Sequence, residues 1–450
     1  MPRQGCACAD EETVAAGCAR VVEDVAAGLW RHFRRPEAFD HARDYLRGLL
    51  AEVERKNGWQ LAEQAGYGHP RGIQRVLDRY RWDADAVRDD LRRYVVEALG
   101  DPRAVLAVDE TSFVKQGRHS AGVARQYCGT LGKRANCQVG VFLGYASAKG
   151  YAGLDRALYL PQEWTDDRAR CRQAGIPDAI PFRTKPQLAL ALLERALDGG
   201  VPAAWVVADE VYGNDSKFRR ALEARDQAYV VAVRTNQPVS TWPPYGPPAP
   251  WTVVAAVAAA LSAGVTTWQR RSCGDGVQGP RVYDWVSLPV RPALQEGWVH
   301  AVLVRRHPQR LEELAYYLVY TPDSTPLDEI VRAAGARWTI EETFKLAKGQ
   351  VGLDQYEVRS WSGWYRHVTL ALLALVALTI GAGQKRGRAR LPTPRARSTS
   401  RSRSPRSAGS SSASSGASPS PRPPSRRSSP GPAGGAATRR SPKPATESVA

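Results

Sequence analysis

The hydrophobic period of the chain changes at Gly100-Asp-Pro102, and that change limits the folds open to it. Before it, from Val14 to Leu99, apolar residues recur three and four apart in Ala42–Val53, Ile73–Tyr80 and Val87–Leu99, the spacing that gives a helix one apolar face. After it come short β-rich runs: Ala104–Val108, Cys137–Tyr145, Arg156–Leu160, Trp205–Ala208 and Tyr229–Val233. Helical stretches Pro186–Leu197 and Ser216–Ala224 alternate with the later runs, which predicts an α/β sheet with at least some parallel pairing. From Gln237 to about His300 the chain is rich in Pro and Trp, and alternation in Thr266–Arg271 and Val282–Leu288 predicts a small antiparallel insertion. Strands resume at Ala301–Arg305 and Ala315–Tyr320, and a Pro-opened helix from about Pro326 leads into a second one over Arg337–Gln350.

Charge divides the chain differently. Its 450 residues carry +18, but from Gln384 to Ala450 fifteen Lys/Arg face the single acid Glu447, leaving the body nearly neutral. Beyond Ala382 the chain is Arg, Ser, Pro, Gly and Ala, too poor in aliphatic side chains to offset the entropy of ordering, so residues 383–450 are expected to be disordered. A second reading is open: Arg397–Gly409, taken in a shifted frame, spells a helix-forming sequence, which would make the tail a frameshift product. Seven Cys form no CxxC pair or metal-finger spacing, and the odd count implies a reducing cytoplasm. The N-terminus lacks an apolar signal core, and the longest apolar run, Val368–Ile380, is shorter than the ~20 residues of a membrane span, so no membrane partner is expected. Gly129-Thr-Leu-Gly132 lacks the Lys-Ser/Thr of a phosphate loop, so nucleotide hydrolysis is unsupported.

Within the first hundred residues, Trp59–Ala65, a break at Gly66–Pro70 and Arg71–Arg79 would suit a helix-turn-helix whose second helix presents Arg71 and Arg75 to DNA. A plain helical bundle with solvated Arg fits the same residues.

Three acidic motifs carry the chemistry. Ala-Val-Leu-Ala-Val-Asp109-Glu-Thr and Trp-Val-Val-Ala-Asp209-Glu each read as a buried strand ending in an acid, where an α/β sheet opens to solvent. Neighbours on a strand point to opposite faces, so only one acid of each pair can serve a shared site, and Asp is the type common to both. The third motif, Arg337-Trp-Thr-Ile-Glu341-Glu-Thr-Phe-Lys345-Leu-Ala-Lys348, puts Arg337, Glu341, Lys345 and Lys348 on one helical face and turns Glu342 about 100° away. Singly, a helical Glu among cations is an ordinary salt-bridged face, and a strand-terminal Asp is an ordinary cap. Together, two Asp and one Glu make an oxygen-only set suited to Mg²⁺, with bases at hand for DNA phosphates. Lys115, Arg118, Arg125, Lys133 and Arg134 would line the DNA path or form a solvated loop, while His119 and His367 read as phosphate contacts or packing.

Asp109, Asp209 and Glu341, in this order and with these flanks, resemble the catalytic triad of the DDE transposases of bacterial insertion sequences. Arg337-x3-Glu341-x6-Lys348 fits the Tyr-Arg-Glu-Lys signature of a subgroup that bears a β-strand insertion, with Ala334 at the Tyr position. The resemblance covers about residues 20–382. It implies a ribonuclease H-like core in two parts, 101–237 and 301–382, interrupted by a β-rich insertion over 238–300, preceded by a helical DNA-binding region over 1–100 and followed by the tail. It also implies that Asp109, Asp209 and Glu341 bind Mg²⁺, or Mn²⁺ in its place, for phosphoryl transfer on DNA: cleavage at transposon ends, then attack of a 3′-OH on target DNA. Arg337, Lys345, Lys348, Arg71 and Arg75 would contact DNA. The expected partners are double-stranded DNA, as terminal inverted repeats and as target, and a second copy in a homodimer on that DNA. The expected place is the bacterial cytoplasm, associated with the nucleoid when DNA is bound. A base flipped near the element's end would stack on Trp251, Trp268 or Trp285, unless these are core. The alternatives are a ribonuclease H-like nuclease without strand transfer and an inactive, DNA-binding descendant.

Overall fold

A computed structural model of the chain describes residues 20–240, 250–276 and 279–388; the predicted disordered tail lies outside them from residue 389 on. The described residues belong to one compact unit.

The helical segment is built as its period predicts. Helices α1 (Pro36–Leu50), α2 (Gly58–Gln64), α3 (Arg71–Asp78) and α4 (Ala84–Leu99) bury Leu46, Leu49, Leu61, Ile73, Val76 and Leu91. Asn57 caps α2 by accepting from the Trp59 and Gln60 amides, and Asp83 caps α4 through the Asp85 and Ala86 amides. These side chains share one apolar core with the sheet, so the segment is no separate body.

The sheet follows from the β-rich runs. Strands β1 (Val105–Val114), β2 (Ala124–Cys128), β3 (Lys133–Ser147) and β4 (Gly150–Tyr159) are antiparallel. Helix α5 (Lys185–Asp198), opened by a capping box between Thr184 and Gln187, leads to β5 (Trp205–Ala208). Helix α6 (Ser216–Glu223) then leads to β6 (Ala228–Val233). Strands β1, β5 and β6 are mutually parallel, as the alternation of strand and helix requires. The main sheet runs β2-β3-β1-β5-β6 and then through β12 (Leu314–Pro322), β11 (Trp298–Arg306), β10 (Gly279–Pro292) and β9 (Gln269–Gly276), with β4 beside β3.

The insertion does form antiparallel strands, but they extend the main sheet instead of making one of their own. A short pair, β7 (Pro238–Ser240) and β8 (Pro250–Thr252), precedes α7 (Val253–Ser262). Strands β9 (Gln269–Gly276) and β10 (Gly279–Pro292) then continue the ladder through β11 (Trp298–Arg306) to β12 (Leu314–Pro322). Helix α7 was not predicted. Its run Val-Val-Ala-Ala-Val-Ala-Ala-Ala-Leu-Ser has the high helix propensity of Ala but no polar face, so it offers no 3.6-residue period.

Helices α8 (Leu327–Ala336) and α9 (Trp338–Val351) cover one face of the sheet, packing Ile330, Val331 and Ile340 on Val105, Ala107, Trp205, Val207 and Val230. The opposite face, through Leu106, Val108, Val206, Ala208 and Val231, packs on α5 and on α10 (Trp361–Arg388). Residues Trp361–Gly381 of α10 are long and apolar enough to cross a membrane, more than the sequence run suggested. Most of that stretch is buried inside the protein, against β4 and α1, α3 and α4, as in the core helix of a soluble protein. Burying its apolar side chains contributes about 1.5–3 kcal/mol each, an upper estimate for the larger ones.

Candidate active site

Strand alternation and parallel register bring the two aspartates together. Parallel pairing of β1 with β5 ends at Val108 and Ala208, and each Asp is the next residue. β1 itself does not end there: it runs five residues further, paired with β3, so Asp109 sits where the parallel neighbour stops. Asp109 and Asp209 lie in phase with Ala107 and Val207, on the face covered by α8 and α9. Glu110 points to the other face. There its carboxylate takes a bond from Lys185 Nζ at 2.5 Å and another from Tyr212 Oη at 2.5 Å.

Asp209 also caps the short helical turn Glu210–Gly213, its Oδ1 accepting from the Val211 amide at 2.8 Å. That turn lies so close to β6 that a Cβ on Gly213 would meet the Ala232 carbonyl oxygen at 2.0 Å, so only glycine fits. Burial first, then the Asp209 charge, pushes the Asp109 carboxyl up to about 7, against the opposing pull of Arg337. Asp209 is raised as well, by burial and then by Glu110.

Glu341 enters from the first turn of α9. Arg337 bridges it to the strands, with Nη2 at 2.7 Å from Glu341 Oε1 and Nη1 at 3.6 Å from Asp109 Oδ2. One guanidinium therefore spans the gap between helix and sheet acids. Glu342 is turned away as the helical spacing predicts, and pairs with Lys345 at 2.5 Å. The three cations expected beside Glu341 thus divide. Arg337 pairs with it, Lys345 pairs with Glu342, and Lys348 reaches the Ser112 carbonyl at 3.2 Å and Thr130 Oγ1 at 3.1 Å.

Asp209, Arg337 and Glu341 line one cleft of about 960 Å³. Its walls add Arg234, Arg281 and Arg305 with Tyr283, Tyr317 and Trp338. The Arg281 guanidinium lies over the Trp338 ring at 4.9 Å, and Arg305 over Tyr283 at 4.7 Å. Sequence reasoning missed these arginines, because nothing in the spacing of β10, β11 and α9 reveals that they meet. Ala334 lines the same cleft, so the aromatic hydroxyls there come from the sheet. Among the described residues no three His, Cys, Asp or Glu side chains stand close enough to enclose a metal ion. The donor set still fits a hard cation: two carboxylates raised first by burial and then by a neighbouring acid, and a third held one guanidinium away.

The other predicted residues divide as well. Arg71 and Arg75 are exposed on α3, beside an exposed Trp59 that lies 6.0 Å from the His69 ring. Trp285 is buried in the core, which corrects its candidacy for base stacking, whereas Trp251 and Trp268 are partly buried against a neighbouring apolar cluster. His367 is a packing residue, bonded to Tyr45 Oη at 2.8 Å, and burial lowers its pKa to about 4.

Residues 28–280 match the family model described as DDE superfamily endonuclease, and residues 184–377 match one described as transposase DDE domain. A probable transposase for insertion sequence element IS701 from Microchaete diplosiphon is 29% identical over 202 residues, covering 44% of this chain. The chain spans about half the length of that curated relative. Two aspartates placed by adjacent parallel strands, a glutamate brought to them by a helix, and a family match over more than half of the chain lead to one statement: the chain belongs to the DDE superfamily of endonucleases.

Proposed function

We propose that the protein is a DNA transposase that cuts at the ends of its element and joins them to target DNA. The observation that carries this reading is the Asp109–Arg337–Glu341 bridge, which brings acids 232 residues apart in sequence to one guanidinium, beside a cleft that Asp209 and Glu341 line together with arginines. A ribonuclease H-like core is supported by an antiparallel β1–β3–β4 sheet joined to parallel β5 and β6, with the two aspartates just past the point where the parallel pairing of β1 and β5 stops. Residues 1–100, 101–237, 238–300 and 301–382 are then functional segments of one unit: DNA-binding helices, core, insertion, and core with the Glu341 helix. The relative's name agrees with this reading.

Asp109, Asp209 and Glu341 would hold divalent cations, Mg²⁺ or Mn²⁺, which when bound activate water or a 3′-OH and stabilise the leaving oxygen. The chain's own residues do the rest. Burial behind α8 and α9 keeps the two aspartates in a setting of lowered dielectric, where a cation is held more strongly than in water. Arg337 would exchange its carboxylates for a DNA phosphate, freeing Glu341 to join the aspartates. Lys345 and Lys348 flank the same helix, and Arg71 and Arg75 would hold the terminal repeat through α3. The protein would act in the bacterial cytoplasm and nucleoid, as a homodimer on DNA.

The test is a strand-transfer assay with Mg²⁺, the full-length protein and DNA carrying the ends of its element. Joined product is expected from the native protein, and Asp109→Asn, Asp209→Asn and Glu341→Gln should each yield none while still retarding DNA. Cleavage without joining would make the protein a nuclease; DNA binding with neither would make it an inactive descendant.

A further inference from the structure

We propose that the β2–β3 hairpin is a second DNA contact, one that grips the phosphate backbone of a duplex without regard to sequence. The proposal rests on the transposase reading and adds to it a surface outside the cleft. In the antiparallel ladder Arg125 faces Asn136 and Tyr127 faces Arg134, so these four share one side of the hairpin. Tyr127 is 61% exposed, and Arg125 and Arg134 are exposed on either side of it. Among the described residues, Arg118, Arg125, Lys133 and Arg134 have no acidic partner within ion-pair distance. Arg134 donates to the Arg125 carbonyl at 3.2 Å, and arginines without an acidic partner around an exposed aromatic ring suit a polyanion better than they suit water alone.

The surface is rigid where it meets the rest of the protein. Asn136 Nδ2 donates to the Lys115 and Gly117 carbonyls at 2.7 and 2.9 Å, fixing the loop that carries Arg118 and His119. Arg170 donates to the Arg118 carbonyl at 3.3 Å and lies 3.8 Å over the Trp164 ring. Arg118, His119, Arg125, Asn136, Trp164 and Arg170 line a groove of about 850 Å³ at the hairpin's outer end. Its acids are already engaged: Glu163 pairs with Arg170 at 3.8 Å, and Asp167 caps the Arg170 amide at 2.9 Å. Lys115 is not part of the surface, because its ammonium lies 3.5 Å over the Tyr356 ring.

The inner end explains why this track belongs with the site. Lys348 bonds Thr130 at the hairpin's tip and lies seven residues, or about 10 Å, along α9 from Glu341. The five residues of β2 add about 17 Å, so the track follows roughly half a helical turn of duplex leading away from the carboxylates.

The experiment compares full-length native protein with Arg125→Ala/Arg134→Ala, Arg125→Lys/Arg134→Lys and Arg71→Ala/Arg75→Ala. Affinity for a terminal-repeat duplex and for a duplex of scrambled sequence is measured across a series of salt concentrations. The hairpin double-Ala variant should bind both duplexes about tenfold more weakly, and its log K against log salt slope should fall by about two. The double-Lys variant should keep that slope. The α3 variant should lose affinity mainly for the terminal repeat. Unchanged affinity and slope in the double-Ala variant, with native binding intact, would overturn the hairpin alone. A loss confined to the terminal repeat would overturn its indifference to sequence. Native protein that binds neither duplex would overturn the transposase reading with it.

Discussion

Asp109 and Glu110 are neighbours on one strand, yet they live in opposite worlds. Glu110 is turned toward α5, where Lys185 and Tyr212 both donate to it at 2.5 Å and its charge is met. Asp109 is turned toward α8 and α9, close to another carboxylate, and the one cation within ion-pair distance among the described residues, Arg337, is 3.6 Å away and shared with Glu341. One acid is an interior fixture with its partners in place. The other is left short of positive charge, so a cation from solution has something to gain by binding there.

The largest effect that tests this contrast is on cleavage. Asp109→Asn should lower the cleavage rate by at least about a thousandfold, the scale at which a preorganised electrostatic contact matters. Glu110→Gln should leave the cleavage rate of the folded protein near native, but it removes the charge paired with Lys185 and leaves one accepting oxygen for the two donors Lys185 and Tyr212, and should destabilise the fold by about 2–4 kcal/mol. Equal loss of cleavage in both, with both folded, would break the comparison.

Glu341 and Glu342 repeat the contrast on a helix. Glu341→Gln should lower cleavage at least about a hundredfold. Glu342→Gln removes the half-buried partner of the exposed Lys345, a pair worth about 0.5 kcal/mol, and should change cleavage by no more than about twofold.

The last effect is on stability alone and runs opposite to activity. Asp109 binds its proton more tightly folded, near pH 7, than unfolded, near its ordinary value of 3.8. Ionised Asp109 therefore weakens the metal-free fold in full above about pH 7, and the penalty fades as pH falls toward 3.8. Without added metal, Asp109→Asn should melt higher than native protein at pH 8 by the equivalent of about 2–4 kcal/mol, and by less at pH 5. Mg²⁺ should then raise the native melting temperature more than that of the variant.

Much of this arrangement is legible in the sequence because it depends on local periods. Alternation along β1 separates Asp109 from Glu110, and helical spacing separates Glu341 from Glu342. β5 spans the residues its Val-rich run indicates. The extent of β1 past Asp109 escapes because it depends on pairing with β3, a contact made only in the folded chain. Lys345 and Lys348 share a helical face with Glu341 by spacing, yet turn to Glu342 and Thr130, because long side chains choose partners within reach and not by phase. Arg281 and Arg305 reach the cleft through the stacking of β10 and β11 under α8 and α9, which no local pattern announces.

The most direct measurement is an anomalous diffraction map of the protein bound to terminal-repeat DNA in Mn²⁺. Density is predicted among the carboxylates of Asp109, Asp209 and Glu341, with Arg337 turned from Asp109 to a phosphate. A map with Mn²⁺ at Glu110 or Glu342, or with none near Asp109 and Asp209, would contradict it.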